Sequence, residues 1–570
     1  MAALVVAALV ALARQPSWWT AAIVAFGIVV FAWLVVRHDR LERRREAALE
    51  LAVLNRQSTA RLARSWDSLP TPWSPPEADG HAFATDLDVF GHASLVQILG
   101  PVRTPTGRTT LARWLLDGVQ DGVDAIRDRQ EAVRELAPAI DVRQWFAALG
   151  RTLPAVTGVG PDAGMPHAVR WAETPSGLAG RHWVTPVALL LTVVTLSGAI
   201  GAAAGVVSGA WWLVTGALGW VLRWWVHEPL ERAVHGASSA HGLRSWSVLI
   251  DHVHASRFDA LVLREARAAI DAAPAALRWL EQRVALADVR HSVWLFVPLQ
   301  TLTLWDLHTW RLIERWRERH GREVRGWLEA LGRIEAVSAL ATLAFDQPAW
   351  AFPEVDDSLS RIEAVGAGHP LLADDVRVPN DLHVGPPGRF MLITGSNMSG
   401  KSTLLRAIGL DVVLAYAGGP VCARELRLPR LSLHTSMRVS DSLELGLSLF
   451  MASLMRLKQI VDAARAAPAS CRVCYLLDEV LQGTNSVERQ TAVRTVVDHL
   501  LGCEAIGVVT THDLALAHDP AFTARADSVH LRETLTGTGT ESAMTFDYRL
   551  RLGPAEGGNA LQLLRAMGLL

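Results

Sequence analysis

Phe390-Met-Leu-Ile-Thr-Gly-Ser-Asn-Met-Ser-Gly-Lys-Ser-Thr403 decides the fold of the C-terminal third of the chain. It reads as a buried strand, a glycine-rich loop and the start of a helix. Gly395, Gly400, Lys401 and Ser402 fit the phosphate-loop pattern G-x-x-x-x-G-K-[ST] without a mismatch. Glycines let such a loop curl until successive backbone N–H groups face phosphate oxygens. The helix beginning near Ser402 adds the positive end of its dipole. In this pattern Lys401 neutralises the β- and γ-phosphates, and the Ser402 hydroxyl sits on Mg²⁺. An ordinary strand–turn–helix is the competing reading.

Two more strands belong with it. Val473-Cys-Tyr-Leu-Leu-Asp-Glu479 is an apolar run ending in two acids. There Asp478 can hold a Mg²⁺-bound water and Glu479 can activate the attacking water. Ala505-Ile-Gly-Val-Val-Thr-Thr-His512 is a third apolar run, and His512 at its end can sense a γ-phosphate. From about Asp356 onward, strands and helices alternate, which predicts an α/β nucleotide-binding domain.

These segments resemble the MutS family, the mismatch-repair branch of the ABC-type ATPases. Thr394-Gly-Ser-Asn-Met-Ser-Gly-Lys-Ser-Thr403 is similar to the family's T-G-P-N-M-G-G-K-S-T, and its Asn-Met pair is a family feature. Leu477-Asp-Glu-Val-Leu-Gln-Gly-Thr-Asn485, Thr510-Thr-His512, Phe546-Asp-Tyr-Arg-Leu550 and Asn559-Ala560 resemble later motifs. His369-Pro370 and Pro379-Asn380-Asp381 resemble earlier ones. Asp86-Leu-Asp-Val-Phe-Gly91 and Thr104–Leu115 resemble the start of the family's helical core.

The resemblance implies a Mg²⁺-dependent ATPase working as a homodimer through its ATPase domains. Gly395, Ser396, Asn397, Met398, Ser399, Gly400, Lys401, Ser402 and Thr403 would bind ATP. Ser402 and Asp478 would hold Mg²⁺, and Lys401, Glu479 and His512 would serve the chemistry. Ser448 would complete the partner's site in trans. Two ATPs would close the interface, and hydrolysis would reopen it, moving the lever helices. DNA binding and mismatch repair come with the resemblance. The chain departs from it in several places. Ser396 and Ser399 replace the family's Pro and Gly, and Val376-Arg-Val378 lacks the aromatic that stacks on adenine. No N-terminal mismatch-reading domain is expected, and Phe352-Pro-Glu354 matches its Phe-x-Glu wedge only as a tripeptide beside the ATPase.

Composition bounds the rest. A chain of 570 residues exceeds one core. A net charge of −2 gives no global nucleic-acid signature. Four cysteines are too few for a disulfide scaffold, and the lone Cys471-x-x-Cys474 reads as core. Twenty-two tryptophans and a mean hydropathy of +0.21 point toward membrane.

Ala2–Ala13 and Thr20–Val36 are apolar runs, followed by Arg37, Arg40, Arg43, Arg44 and Arg45 on the side that the positive-inside rule makes cytoplasmic. A signal peptide is the alternative for the first run. Val184–Val207 and Gly209–Val226 carry no charge until Arg223, and tryptophans flank them. They predict a second transmembrane hairpin, against which stands a buried soluble hairpin. Pro154–Gly180 reads as loop, Glu228–Leu343 as long amphipathic helix, and Ser292–Trp305 as a core or interfacial helix. The expected fold class is an α/β C-terminal ABC-type P-loop ATPase domain preceded by an all-α MutS-like core and lever region interrupted by transmembrane helices.

The expected domains are an N-terminal hairpin (1–37), a juxtamembrane helix, linker and first core part (38–180), a second hairpin (181–227), lever helices (228–350) and the ATPase (351–570). The expected location is the inner membrane of a bacterium, multi-pass, with the ATPase on the cytoplasmic side. Two functions compete: a membrane-anchored, DNA-binding MutS-like ATPase, and a membrane mechano-ATPase acting on a protein or lipid partner. A contiguous basic surface on the core or lever helices would favour the first. An ABC transporter is disfavoured, because no L-S-G-G-Q signature occurs and four spans make a meagre pathway.

Overall fold

The structure, a computed structural model, describes residues 18–70, 73–151, 167–175, 181–228, 230–231, 246–396, 399–438, 449–481, 486–536 and 543–555. Contacts divide the chain into residues 1–58 and 59–570. In the first unit, the Thr20–Val36 run lies in helix α1 (Trp18–Leu62), which continues through the arginine-rich segment without a break. The Ala2–Ala13 run lies outside the described residues.

The helical part of the second unit is built on α2 (Pro105–Asp117), α3 (Val123–Leu136), α4 (Val184–Ala203), α5 (Ala210–Trp225), α6 (Leu261–Ala269), α7 (Ala273–Ala287), α8 (Val293–Thr303), α9 (Trp305–His320) and α10 (Glu323–Asp346). The expected long lever is thus several shorter helices. The Pro154–Gly180 stretch, expected as loop, contains a helix over His167–Glu173 that buries Val169 and Ala172. Helix α10 is the axis. It is buried almost all round from Leu328 to Leu343, and α2, α3 and α6 pack on it. Gly332 permits the approach of α2, because a Cβ there would sit 2.6 Å from the Thr106 carbonyl carbon.

α4 and α5 form an antiparallel pair whose apolar side chains, among them Leu190, Ile200, Leu213 and Val221, face outward. Among the described residues, Val184–Ala203 is the one helix long and apolar enough to cross a membrane. α5 has 16 residues, about 24 Å, which is short of the ~30 Å hydrocarbon core. Of the four expected spans, one helix among the described residues meets the requirement by length and composition, and the first run lies outside those residues.

The α/β part holds β1 (Glu354–Val355), β2 (Ile362–Ala367), β3 (Asn380–Val384), β4 (Phe390–Thr394), β5 (Glu425–Leu428), β6 (Leu431–Ser436), β7 (Arg472–Asp478), β8 (Ile506–Thr511), β9 (Ala526–Thr536) and β10 (Ala543–Leu552). One sheet runs β1-β5-β2-β3, the other β10-β9-β4-β8-β7-β6. In the larger sheet β9, β4, β8, β7 and β6 are parallel, and β10 closes one edge antiparallel.

The central strands read as unbroken apolar runs because both faces are covered. Met391 and Ile393 join the core shared with α11 (Lys401–Ala417) and the helical region. Phe390 and Leu392 face the other core, under α12 (Leu449–Ala466) and α13 (Ser486–Gly502). Cys474 is buried in β7 and Cys471 half-buried, both as free thiols, in line with the core reading.

α11 also docks on the helical region. Arg129 donates to the Tyr416 carbonyl at 2.7 Å, and a Cβ at Gly118 would meet that same oxygen at 2.6 Å. Inside α11, Asp411 is wholly buried, and its Oδ1 accepts from the Cys422 N–H at 2.7 Å while Oδ2 has no hydrogen-bond partner. Burial pushes this carboxyl up to about 8, against the pull of the Cys422 N–H and Arg377. The folded pKa is raised, so the stability it contributes is complete below the ordinary carboxylate range and is lost as pH rises through about 8. Asp411→Asn is expected to flatten the fall in melting temperature between about pH 4 and about pH 8. An unchanged pH profile in differential scanning calorimetry would show that Asp411 does not titrate there.

Candidate active site

The parallel strands β4, β7 and β8 end side by side, with Asp478 in register with Thr510 and Thr394 with Thr511. In open parallel sheets the crevice beyond such carboxyl ends is where ligands bind. Gly395 leaves β4 at φ 149° and Gly400 enters α11 at φ 95°. A Cβ at Gly395 would lie 2.8 Å from Ser399 Oγ and 2.9 Å from the Leu531 carbonyl oxygen, so the loop has no room for a side chain there. No side chain caps the N-terminus of α11, which leaves its first N–H groups without that partner.

Lys401 is buried, and its Nζ donates to the carbonyls of Gly395 (2.9 Å) and Ser396 (2.8 Å). The same nitrogen lies 3.2 Å from Glu479 Oε1. The other oxygen of Glu479 is 3.3 Å from His512 Nδ1. The three residues assigned to the chemistry are therefore in one chain of contacts, Lys401–Glu479–His512. Glu479 has a left-handed backbone at φ 44°, an uncommon conformation for a non-glycine residue. Thr510 fixes it. Its hydroxyl accepts from the Glu479 N–H at 3.1 Å and donates to Asp478 Oδ1 at 2.5 Å.

Ser402 and Thr403 lie in the first turn of α11, Ser402 half-buried and Thr403 exposed. Ser399 is buried, and its Oγ has no partner. Asn397, Met398 and Ser448 lie outside the described residues, as do Gly483-Thr484-Asn485 and Asn559-Ala560.

The residues present fit a Mg²⁺-nucleotide. A buried lysine held by carbonyls, an orphaned Ser399 hydroxyl and an uncapped helix start are groups that phosphate oxygens satisfy. Among the described residues no three or more His, Cys, Asp or Glu cluster as a metal cage. Mg²⁺ is held by one or two protein oxygens together with phosphates and water, and Ser402 and Asp478 are the residues that would supply them.

Three features escaped the sequence reading. Tyr548, at φ 53° beside a register shift in β10, lies against the loop. A Cβ on Gly400 would meet its Cδ1 at 2.9 Å, and Phe546 stacks on it at 5.9 Å. Asp513, next to His512, accepts from Arg489 (3.0 Å) and Gln490 (2.8 Å), tying the end of β8 to α13. Asp86 and Asp88, expected within the helical core, reach the ATPase. Asp86 accepts from the Thr435 hydroxyl and the N–H groups of Met437 and Arg438, and Asp88 accepts from the Arg438 guanidinium at 2.6 and 2.9 Å. His369 is driven down to about 4 by burial and by Arg406 and Arg377, so it is neutral, and its Nδ1 accepts from Leu371 N–H.

Residues 391–569 match the family model for MutS domain V. The chain is 30% identical over 253 residues to the DNA mismatch repair protein msh3 of Aspergillus niger, covering 43% of this chain and 22% of that protein. It is 32% identical over 249 residues to the DNA mismatch repair protein MutS 2 of Halobacterium salinarum, covering 42% of this chain and 28% of that protein. To the DNA mismatch repair protein MutS of Aquifex pyrophilus it is 28% identical over 245 residues, covering 42% and 27%. The chain thus spans about a quarter of the length of these relatives, and the likeness supports a place in the MutS family.

Proposed function

We propose that the chain is a MutS-type ATPase that binds ATP with Mg²⁺, hydrolyses it, and is held to the inner membrane of a bacterium with its ATPase on the cytoplasmic side. The observation that carries the first part is Glu479 placed between Lys401 and His512 at the ends of adjacent parallel strands. When bound, Mg²⁺ neutralises phosphate charge. Glu479 takes the proton of the attacking water, His512 holds the second oxygen of that carboxylate, and Thr510 keeps Asp478 and Glu479 in place. Lys401 moves from carbonyls to phosphate. The exposed Tyr548 ring beside Gly400 supplies the aromatic face that Val376–Val378 lacks. Two copies meet through the ATPase domains, where Ser448 serves the partner's site.

The membrane part rests on α4 and α5. No charge occurs from Val184 to Leu222, and their large apolar side chains are exposed. A soluble core helix would bury them.

DNA binding follows the relatives and their mismatch-repair role. One observation favours the second reading, a partner other than DNA: three arginines of the lever region are matched by acids. Arg311 pairs with Glu318, Arg317 with Glu314 and Arg325 with Glu173, which offsets part of the positive charge that a nucleic-acid surface needs. The deciding measurement is duplex binding by the detergent-solubilised protein at low salt, with and without a mismatch and with and without ATP. The DNA reading expects binding that weakens steeply as salt rises. No binding under any of these conditions leaves the partner reading.

A further inference from the structure

His512 is joined to Glu479 directly, Nδ1 to the second carboxylate oxygen at 3.3 Å. It is also joined the long way round. Past Glu479 the chain enters α13 at Ser486. Near the start of that helix Arg489 and Gln490 both donate to Asp513 Oδ2, at 3.0 and 2.8 Å. Asp513 is the residue after His512. Chain and contacts therefore close a ring from Glu479 through α13 and Asp513 to His512 and back.

Asp513 is bonded on several sides. Its Oδ1 accepts from the N–H groups of Ala515 at 3.0 Å and Leu516 at 3.4 Å, and so starts the short helix Leu514–Ala517. Its own N–H donates to Thr511 Oγ1 at 3.0 Å. Local bonds of this kind hold a turn in one geometry. The His512 side chain is 44% exposed, so packing encloses little of it, and the placing of its backbone decides what the ring can reach. The Arg489–Asp513 pair differs from a solvated surface bridge of small worth. Its side chains are 20% and 11% exposed, and Arg489 and Gln490 line the same small cavity as Glu479 and His512. Val493, Val497 and Leu500 already bury α13 against the sheet, so docking that helix does not account for the pair.

We propose that Arg489, Gln490 and Asp513 form a clamp that holds His512 against Glu479, which makes Arg489 and Asp513 positioning residues for hydrolysis. The clamp rests on the ATPase reading above and adds to it how the histidine is aimed. Its stiffness comes from a charge-assisted bond: a guanidinium donates to a carboxylate whose other oxygen is fixed by backbone N–H groups. With Oδ2 released, the turn that carries His512 is held from one side only. The ring then drifts relative to Glu479, and a shift on the order of 1 Å near a reacting centre can cost up to about a hundredfold in rate. ATP binding is largely spared, because the loop that takes phosphate lies between β4 and α11.

The test uses the full chain, with kcat and KM for Mg²⁺-ATP and equilibrium binding of a fluorescent ATP analogue. The variants are Arg489→Met, Asp513→Asn, the two combined, and Arg489→Lys, which keeps a cationic donor. Analogue binding certifies each as folded; should Asp513→Asn fail it, the two Arg489 variants carry the comparison. The clamp expects each single variant to lose roughly tenfold in kcat, with KM and analogue affinity within about twofold of the parent. Because the pair acts as a unit, the double variant loses no more than the worse single one, and Arg489→Lys recovers most of the turnover. Parental kcat in the single variants, losses that multiply in the double, or an Arg489→Lys as slow as Arg489→Met would overturn the clamp. Glu479→Gln in the same assay separates the clamp from the reading beneath it. Lost turnover there, with parental turnover in the clamp variants, overturns the clamp alone, whereas parental turnover in Glu479→Gln overturns both.

Discussion

Glu479→Gln is expected to bind ATP at least as well as the parent chain and to turn it over roughly 10²–10⁴-fold more slowly, the usual worth of a positioned general base. The amide keeps the size of the side chain and loses its basicity. It also loses the charge that holds Lys401 at 3.2 Å, so the ammonium is freer to meet phosphate and affinity does not fall. The backbone is not at risk, because the Thr510 hydroxyl accepts from the N–H of residue 479 and not from its side chain. Steady-state turnover with Mg²⁺ and equilibrium binding of a fluorescent ATP analogue separate the two effects. Turnover within a few-fold of the parent would remove Glu479 as the base and shift attention to His512, which lies 3.3 Å from it.

The parts of this site that could be read from sequence are the parts that local physics writes locally. A strand covered on both faces must be apolar throughout, so β4, β7 and β8 stood out, and a polar residue at the end of such a run must face the crevice. Asp478, Glu479 and His512 were found in this way. Tyr548 was not, because its position depends on a register shift between β9 and β10 and on contact with a loop 148 positions earlier. The reach of Asp86 and Asp88 to Thr435–Arg438 was hidden for the same reason: a short acidic motif says that it is capped, not by what. Hydropathy alone also overcounted spans. A run such as Gly209–Val226 is apolar enough, yet its helix is about one turn short of a ~30 Å core, and helix length becomes visible only when its ends are seen.

Glu335→Ala is expected to cost about 3 kcal/mol of stability. Glu335 is wholly buried in α10 and receives the N–H of Arg103 at 2.6 Å, the N–H of Thr104 at 3.0 Å and the Thr104 hydroxyl. Thr104 in turn caps α2 through the Gly107 N–H at 2.9 Å. Alanine would orphan two backbone donors and loosen the cap at the point where α10 grips the helix that carries Gly118 to α11. Burial pushes the Glu335 carboxyl up to about 7 in spite of its donors. Since the folded pKa is raised, its contribution is complete below the ordinary glutamate range and is lost as pH rises through about 7. Glu335→Gln keeps the shape without the titration, so it is expected to cost about 1–2 kcal/mol at low pH and progressively less as pH rises from the ordinary glutamate range to about 7. Urea unfolding of the parent and the two variants at several pH values measures both effects. An alanine variant as stable as the parent would show that the α2–α10 junction does not depend on this carboxylate, and equal pH slopes in parent and glutamine variant would show that it stays ionised in the core.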